Sequence, residues 1–151
     1  MKQELRLSGT GGQGLILAGI ILAEAALLDG KLAIQSQSYG PEARGGSSKS
    51  EVMISEEAIH FPKVTEPNLL LAMSQEAANK YSTDLSPESI LVTDSLFVSK
   101  LPAHTGKIYE LPITHSAKEI LGKALFANII ALGALVKITK IVSEESLVKA
   151  V

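Results

Sequence analysis

Gly9, Gly11 and Gly14 stand in a G-x-G-x-x-G spacing, preceded by the strand-like Glu4 to Ser8 and followed by the helical stretch Leu15 to Leu28. Strand, glycine turn and helix in that order is the context in which such a motif can hold an anion. Glycine permits the tight turn and a close approach of the backbone to a bound group, and the free N–H groups at the helix start favour negative charge. Thr10, Gly12 and Gln13 complete the six-residue turn. The same glycines would also serve simple packing of helix on strand, so the turn by itself suggests a phosphate or carboxylate site without specifying it.

A dinucleotide site would add an acidic residue about 20 positions further on, to accept hydrogen bonds from the ribose. The second strand, Leu32 to Ser38, offers Gln35, Ser36, Gln37 and Ser38 instead. A nicotinamide-binding domain is therefore the weaker reading. The next segment, Tyr39-Gly40-Pro41-Glu42-Ala43-Arg44-Gly45-Gly46-Ser47-Ser48, is a long loop rich in turn residues, and loops of this kind often carry function. Arg44 is its cation and the only one between Lys31 and Lys49. A planar guanidinium suits a phosphate of a ligand or an acidic side chain of a partner.

The elements that must position these residues alternate between strands and helices. Further strands are expected at Ser50 to Ile54, Leu69 to Met73, Ile90 to Thr93 and Lys107 to Leu111. A helix over Gln75 to Tyr81 has Ser74 as its cap, a helical region runs from Thr114 or Ser116 to Val136 with a bend near Gly122, and Ser143-Glu144-Glu145 opens a last helix. This order predicts one α/β domain over residues 1–151, Rossmann-like, with three layers and a mostly parallel sheet whose carboxyl edge binds ligands. Asp94-Ser95 falls on that edge, where ligand contact and helix capping explain it equally well.

At 151 residues and 46% hydrophobic content the chain can bury a full core. It has no cysteine, which excludes disulfides, thiolate-held zinc or iron–sulfur clusters, and a thiol nucleophile. A net charge of −2 and 4% aromatic residues argue against nucleic acid. No apolar run reaches the ~20 residues of a membrane helix, and Met1 to Leu5 lacks the apolar core of a signal peptide, so a cytoplasmic location is expected. His60, His104 and His115 lack metal-ligand spacing. The helix after Gly14 carries only Glu24 as a charge and Ala124 to Val136 carries none, which predicts outer faces covered by partners.

The block Gly-Thr-Gly-Gly-Gln-Gly at Gly9 to Gly14, then Ala18-Gly19 and Ala23-Glu24-Ala25-Ala26, then Gln37-Ser38-Tyr39-Gly40-Pro41-Glu42-Ala43-Arg44-Gly45-Gly46, resembles the gamma subunits of 2-oxoacid:ferredoxin oxidoreductases. The likeness continues through Ser50-Glu51-Val52, Pro67, Leu70, Gln75, Asp94-Ser95, Pro112, Ala117, Ala127-Asn128 and Leu132-Gly133, with Asn68 where such sequences often have Asp. Its wording looks most like the 2-oxoglutarate type, since Thr10 departs from the Gly-Arg-Gly-Gly-Gln-Gly of pyruvate enzymes. The chain stops earlier than the family pattern, which fits a trimmed form or a short subunit.

This resemblance implies a multisubunit enzyme that oxidatively decarboxylates a 2-oxoacid, passes electrons to ferredoxin and forms an acyl-CoA. Thiamine diphosphate, magnesium and iron–sulfur clusters are then expected in other subunits, and no Gly-Asp-Gly with a following Asn-Asn occurs here to hold the thiamine diphosphate. The subunit is expected to be silent alone. Gly9 to Gly14, with Ser38, Tyr39, Gly40, Arg44, Gly45 and Gly46, become the candidate coenzyme A or subunit-contact surface. Two other classes stand beside this: a purely structural docking subunit, and a nicotinamide-binding oxidoreductase domain.

Overall fold

A computed structural model describes residues 2–10, 13–37, 47–60, 62–104 and 106–151. Its strands are β1 (Gln3–Gly9), β2 (Leu32–Gln37), β3 (Ser48–Ser55), β4 (Leu69–Ala72), β5 (Ile90–Asp94) and β6 (Lys107–Leu111). They form one sheet in the order β2-β3-β1-β4-β5-β6. From β1 onward the pairs β1–β4, β4–β5 and β5–β6 are parallel, with Leu5 opposite Leu69, Leu69 opposite Ile90 and Ile90 opposite Lys107. β3 runs antiparallel to both its neighbours, placing Arg6 opposite Glu51 and Gly9 opposite Ser48. The expected mostly parallel sheet is therefore present, with one reversed strand inserted between β1 and β2.

Alternation along the strands splits the core in two. Leu5, Leu7, Leu69, Leu71 and Val92 point to the face covered by α1 (Leu15–Leu28), α3 (Ile113–Leu121), α4 (Ala127–Thr139) and α5 (Glu144–Ala150). Leu70 and Leu91 point to the other face, against Ala77 and Tyr81 of α2 (Gln75–Tyr81). Three layers result, as the sequence predicts.

The helices begin and end where local chemistry dictates. The Ser74 side chain accepts from the N–H of Ala77 to start α2, and Ser143 does the same for Ser146 to start α5. Gly122 has φ 80°, a left-handed conformation that closes α3 outright. The sequence expectation of one helix bent near Gly122 is thus corrected to two helices, joined by a single 3-10 turn over Ala124–Phe126.

The apolar helices also separate into two cases. α4 is enclosed by its own domain, with only Gly133 and Lys137 exposed along its length. α1 instead leaves Ile16, Leu17 and Ile20 at 43%, 53% and 40% exposure. The exposed apolar surface thus lies on α1 and, within Ala124 to Val136, on Leu125 and Phe126 ahead of α4. Among the described residues, no helix is long and apolar enough to cross a membrane.

Candidate functional site

The turn after β1 is shaped by its own glutamine. The Gln13 side-chain oxygen accepts from the backbone N–H of Thr10 at 2.7 Å, and its amide nitrogen donates to the carbonyl of Met73 at 3.0 Å, just past the end of β4. Gln13 thus ties the turn to the neighbouring strand end. A side chain at Gly9 would need the space this glutamine fills, since a Cβ there would stand 2.1 Å from Gln13 Oε1. Gly14 closes the turn at φ 74° and ψ 26°, the left-handed region that glycine enters freely. Its carbonyl accepts the first helical bond of α1, from the N–H of Ala18.

A cleft of about 400 Å³ opens beside this turn, at the carboxyl edge of the parallel strands. Thr10, Gln13, Phe97, Thr114, Ala124, Leu125 and Ala127 line it. Phe97 and Leu125 give it an apolar wall, at 46% and 69% exposure. Thr10, Gln13 and Thr114 supply the polar side.

Helix starts have N–H groups that need acceptors, and four of the five find them in a nearby side chain. Ser74 serves α2 and Ser143 serves α5. Asp94, fully buried at the end of β5, accepts from the backbone N–H and the hydroxyl of Thr114 and so caps α3. Asn128 Oδ1 accepts from the N–H of Ile129 in the first turn of α4. α1 differs: Gly14 brings no side chain, and the first turn of α1 carries no acidic residue. Among the described residues, α1 is the one helix whose N-terminal amides have no side-chain acceptor, and it starts two residues after Gln13, which lines the cleft.

The predicted site residues divide accordingly. Thr10 and Gln13 line the cleft, while Gly9 packs against Gln13 and Gly14 against Asn128 outside its lining. Gly11, Gly12, Ser38, Tyr39, Gly40, Arg44, Gly45 and Gly46 lie outside the described residues. Of the two explanations for Asp94, capping is the one the hydrogen bonds show. Phe97, Thr114, Leu125, Ala127 and Asn128 come to the site from 84 or more positions downstream of Gln13, through the topology; the only sequence signal for any of them is the Ala127-Asn128 pair within the family likeness.

At β2, Gln35 donates to Gln37 at 2.9 Å and to the Ser50 hydroxyl at 3.1 Å. The strand that would carry a ribose-binding carboxylate is moreover separated from β1 by β3, a displacement of about two strand spacings, or ~9.6 Å. Both points weigh against a nicotinamide nucleotide. Among the described residues, no group of three His, Asp or Glu side chains is arranged to hold a metal ion.

Comparison with known proteins agrees with this architecture. The pattern of the pyruvate ferredoxin/flavodoxin oxidoreductase family matches residues 4–151. The 2-oxoglutarate synthase subunit KorC of Methanocaldococcus jannaschii is 51% identical, over all of this chain and 82% of the relative. The keto/oxoacid ferredoxin oxidoreductase gamma subunit of Geobacter sulfurreducens superposes with a TM-score of 0.88 at 52% identity, covering 98% of this chain and 83% of that one. The 2-oxoglutarate:ferredoxin oxidoreductase of Magnetococcus marinus, solved with 2-oxoglutarate, coenzyme A and succinyl-CoA bound, superposes with a TM-score of 0.87 at 25% identity. There the match covers 99% of this chain but 26% of the other, so the same unit is one part of a longer polypeptide. The chain belongs to the pyruvate ferredoxin/flavodoxin oxidoreductase family, as one of its gamma-type subunits.

Proposed function

We propose that this chain is the gamma subunit of a 2-oxoglutarate:ferredoxin oxidoreductase and that the cleft beside the glycine turn receives the anionic part of coenzyme A. The observation that carries the reading is the start of α1, which has no side-chain acceptor among the described residues and follows directly on Gln13 in the lining of a cleft with a polar side at Thr10 and Gln13 and an apolar wall at Phe97 and Leu125. A phosphate ester on an apolar arm has that division: the phosphate takes the helix N–H groups and the arm takes the wall. The 2-oxoglutarate assignment rests on the relatives named above, in sequence and in structure.

In such an enzyme 2-oxoglutarate and coenzyme A become succinyl-CoA and carbon dioxide, with two electrons leaving through ferredoxin. This chain has no cysteine to ligate a cluster. The iron–sulfur clusters accordingly belong to partner subunits; we place thiamine diphosphate and magnesium there too, and assign this subunit coenzyme A binding and assembly contacts.

The test is Leu125→Glu in the assembled enzyme. A carboxylate placed in the cleft opposes an anion there, so the KM for coenzyme A should rise about tenfold or more, the scale of a lost charged hydrogen bond. The KM for 2-oxoglutarate should stay unchanged, and Leu125→Lys should not raise the coenzyme A value. An unaltered coenzyme A KM for Leu125→Glu in a complex of normal composition would overturn the reading.

A further inference from the structure

Asn128 sits at the junction of two helix starts. Its side-chain oxygen accepts from the N–H of Ile129 at 2.9 Å, in the first turn of α4. Its amide nitrogen donates to the carbonyl of Gly14 at 3.2 Å, the residue from which α1 begins. The two residues are 114 positions apart, and Asn128 is 5% exposed. A Cβ on Gly14 would stand 2.6 Å from Asn128 Nδ2, so the amide occupies the place a side chain at Gly14 would take.

We propose that Asn128 is a positioning residue for the cleft, holding the left-handed Gly14 against α4 so that Gln13 and Ala127, the chain neighbours of this pair and both part of the cleft lining, keep their places. This rests on the coenzyme A reading above. The chemistry requires both ends of a primary amide: an acceptor for Ile129 and a donor for Gly14, on one short side chain. Aspartate retains the acceptor, loses the donor, and brings a negative charge next to Ala127 of the cleft lining. Alanine loses both bonds.

The experiment uses the assembled enzyme. Asn128→Ala should raise the KM for coenzyme A about threefold to tenfold, the scale of one or two neutral hydrogen bonds, with kcat and the KM for the 2-oxoacid unchanged. Amide hydrogen exchange at Ala18, whose N–H bonds to the Gly14 carbonyl, should quicken in the same complex. Asn128→Asp should raise the coenzyme A KM further than alanine does, and it serves alone if the alanine variant fails to assemble. The proposal is overturned if kcat and both KM values shift together, as general loss of packing would cause, or if the coenzyme A KM stays put. The second outcome is read against Leu125→Glu. If that variant raises the coenzyme A KM while the Asn128 variants do not, the cleft still binds coenzyme A and only the positioning role fails; if neither responds, coenzyme A binds elsewhere and both readings fail.

Discussion

Arg6 and Glu51 face each other across β1 and β3, with Nε 2.7 Å from Oε2 and both side chains less than a tenth exposed. Arg6 also donates to both carboxylate oxygens of Asp84, at 2.9 and 3.1 Å. Burial alone would lower the Arg6 pKa, but the bonds and charges of Glu51 and Asp84 outweigh it and the net shift is upward. The guanidinium therefore stays charged and joins the reversed strand to the parallel half of the sheet, on the face that α2 covers.

Removing one member of such a pair leaves the other buried and uncompensated. Arg6→Ala should destabilise the fold by about 3–5 kcal/mol, whereas Arg6→Met combined with Glu51→Leu should cost much less, because no charge is then stranded. Urea unfolding of the three proteins measures this. Equal losses for the single and double variants would show that shape, and not charge pairing, dominates there.

The glycine turn, α1 and the Ser74 and Ser143 caps were legible because each is written in adjacent residues: apolar period, glycine, serine before an acidic first turn. The reversal of β3 was not, because Ser50 to Ile54 reads as a strand in either direction and its partner is chosen by the sheet as a whole. Gly122 carried a usable signal, a glycine after Lys118 in a last turn, which matches a helix stop better than a bend. Asn128 and Leu125 reach Gly14 and the cleft only because α4 packs beside α1, a contact across more than a hundred positions that no local pattern encodes.

Asp29 closes α1 and also holds the start of α5. Its carboxylate accepts from the Ser146 hydroxyl at 2.5 Å, the Ser143 N–H at 2.6 Å and the Ser143 hydroxyl at 2.7 Å. The Ser146 bond, with help from Ser143 and Lys31, lowers its pKa below the ordinary value of 3.8 against the opposing effect of burial. A carboxyl with a depressed folded-state pKa stabilises above its unfolded pKa, and that contribution is lost as pH falls through the folded value. Asp29→Asn should therefore cost about 1 kcal/mol or less at pH 7, since the group is only partly buried and solvent screens it. The gap between wild type and variant should narrow as the pH drops from about 4 toward 2. Denaturation at pH 7 and near pH 2.5 checks the sign; a gap that widens in acid would contradict this account.

Ile16, Leu17 and Ile20 form an apolar strip on α1, each at least 40% exposed, and Leu27 and Leu28 extend it at 58% and 56%. Glu24 is the helix's only charge. A helix facing water normally carries a polar face, and an apolar strip broken by a single charge is the kind of surface that another protein covers. In the isolated chain this strip meets water, at a cost of roughly 25 cal/mol for each Å². The isolated chain should therefore self-associate, with a sedimentation coefficient that rises with concentration. Leu17→Lys with Ile20→Lys should abolish this while leaving the melting temperature nearly unchanged, since lysine is a good helix former and neither side chain belongs to the core. A second apolar patch at Leu96, Phe97, Leu125 and Phe126 supplies the control. If Phe97→Lys with Leu125→Lys disperses the oligomer and the α1 variant does not, the sticky surface is the cleft rim. A wild-type chain that stays monomeric at every concentration would show that the strip alone does not drive association.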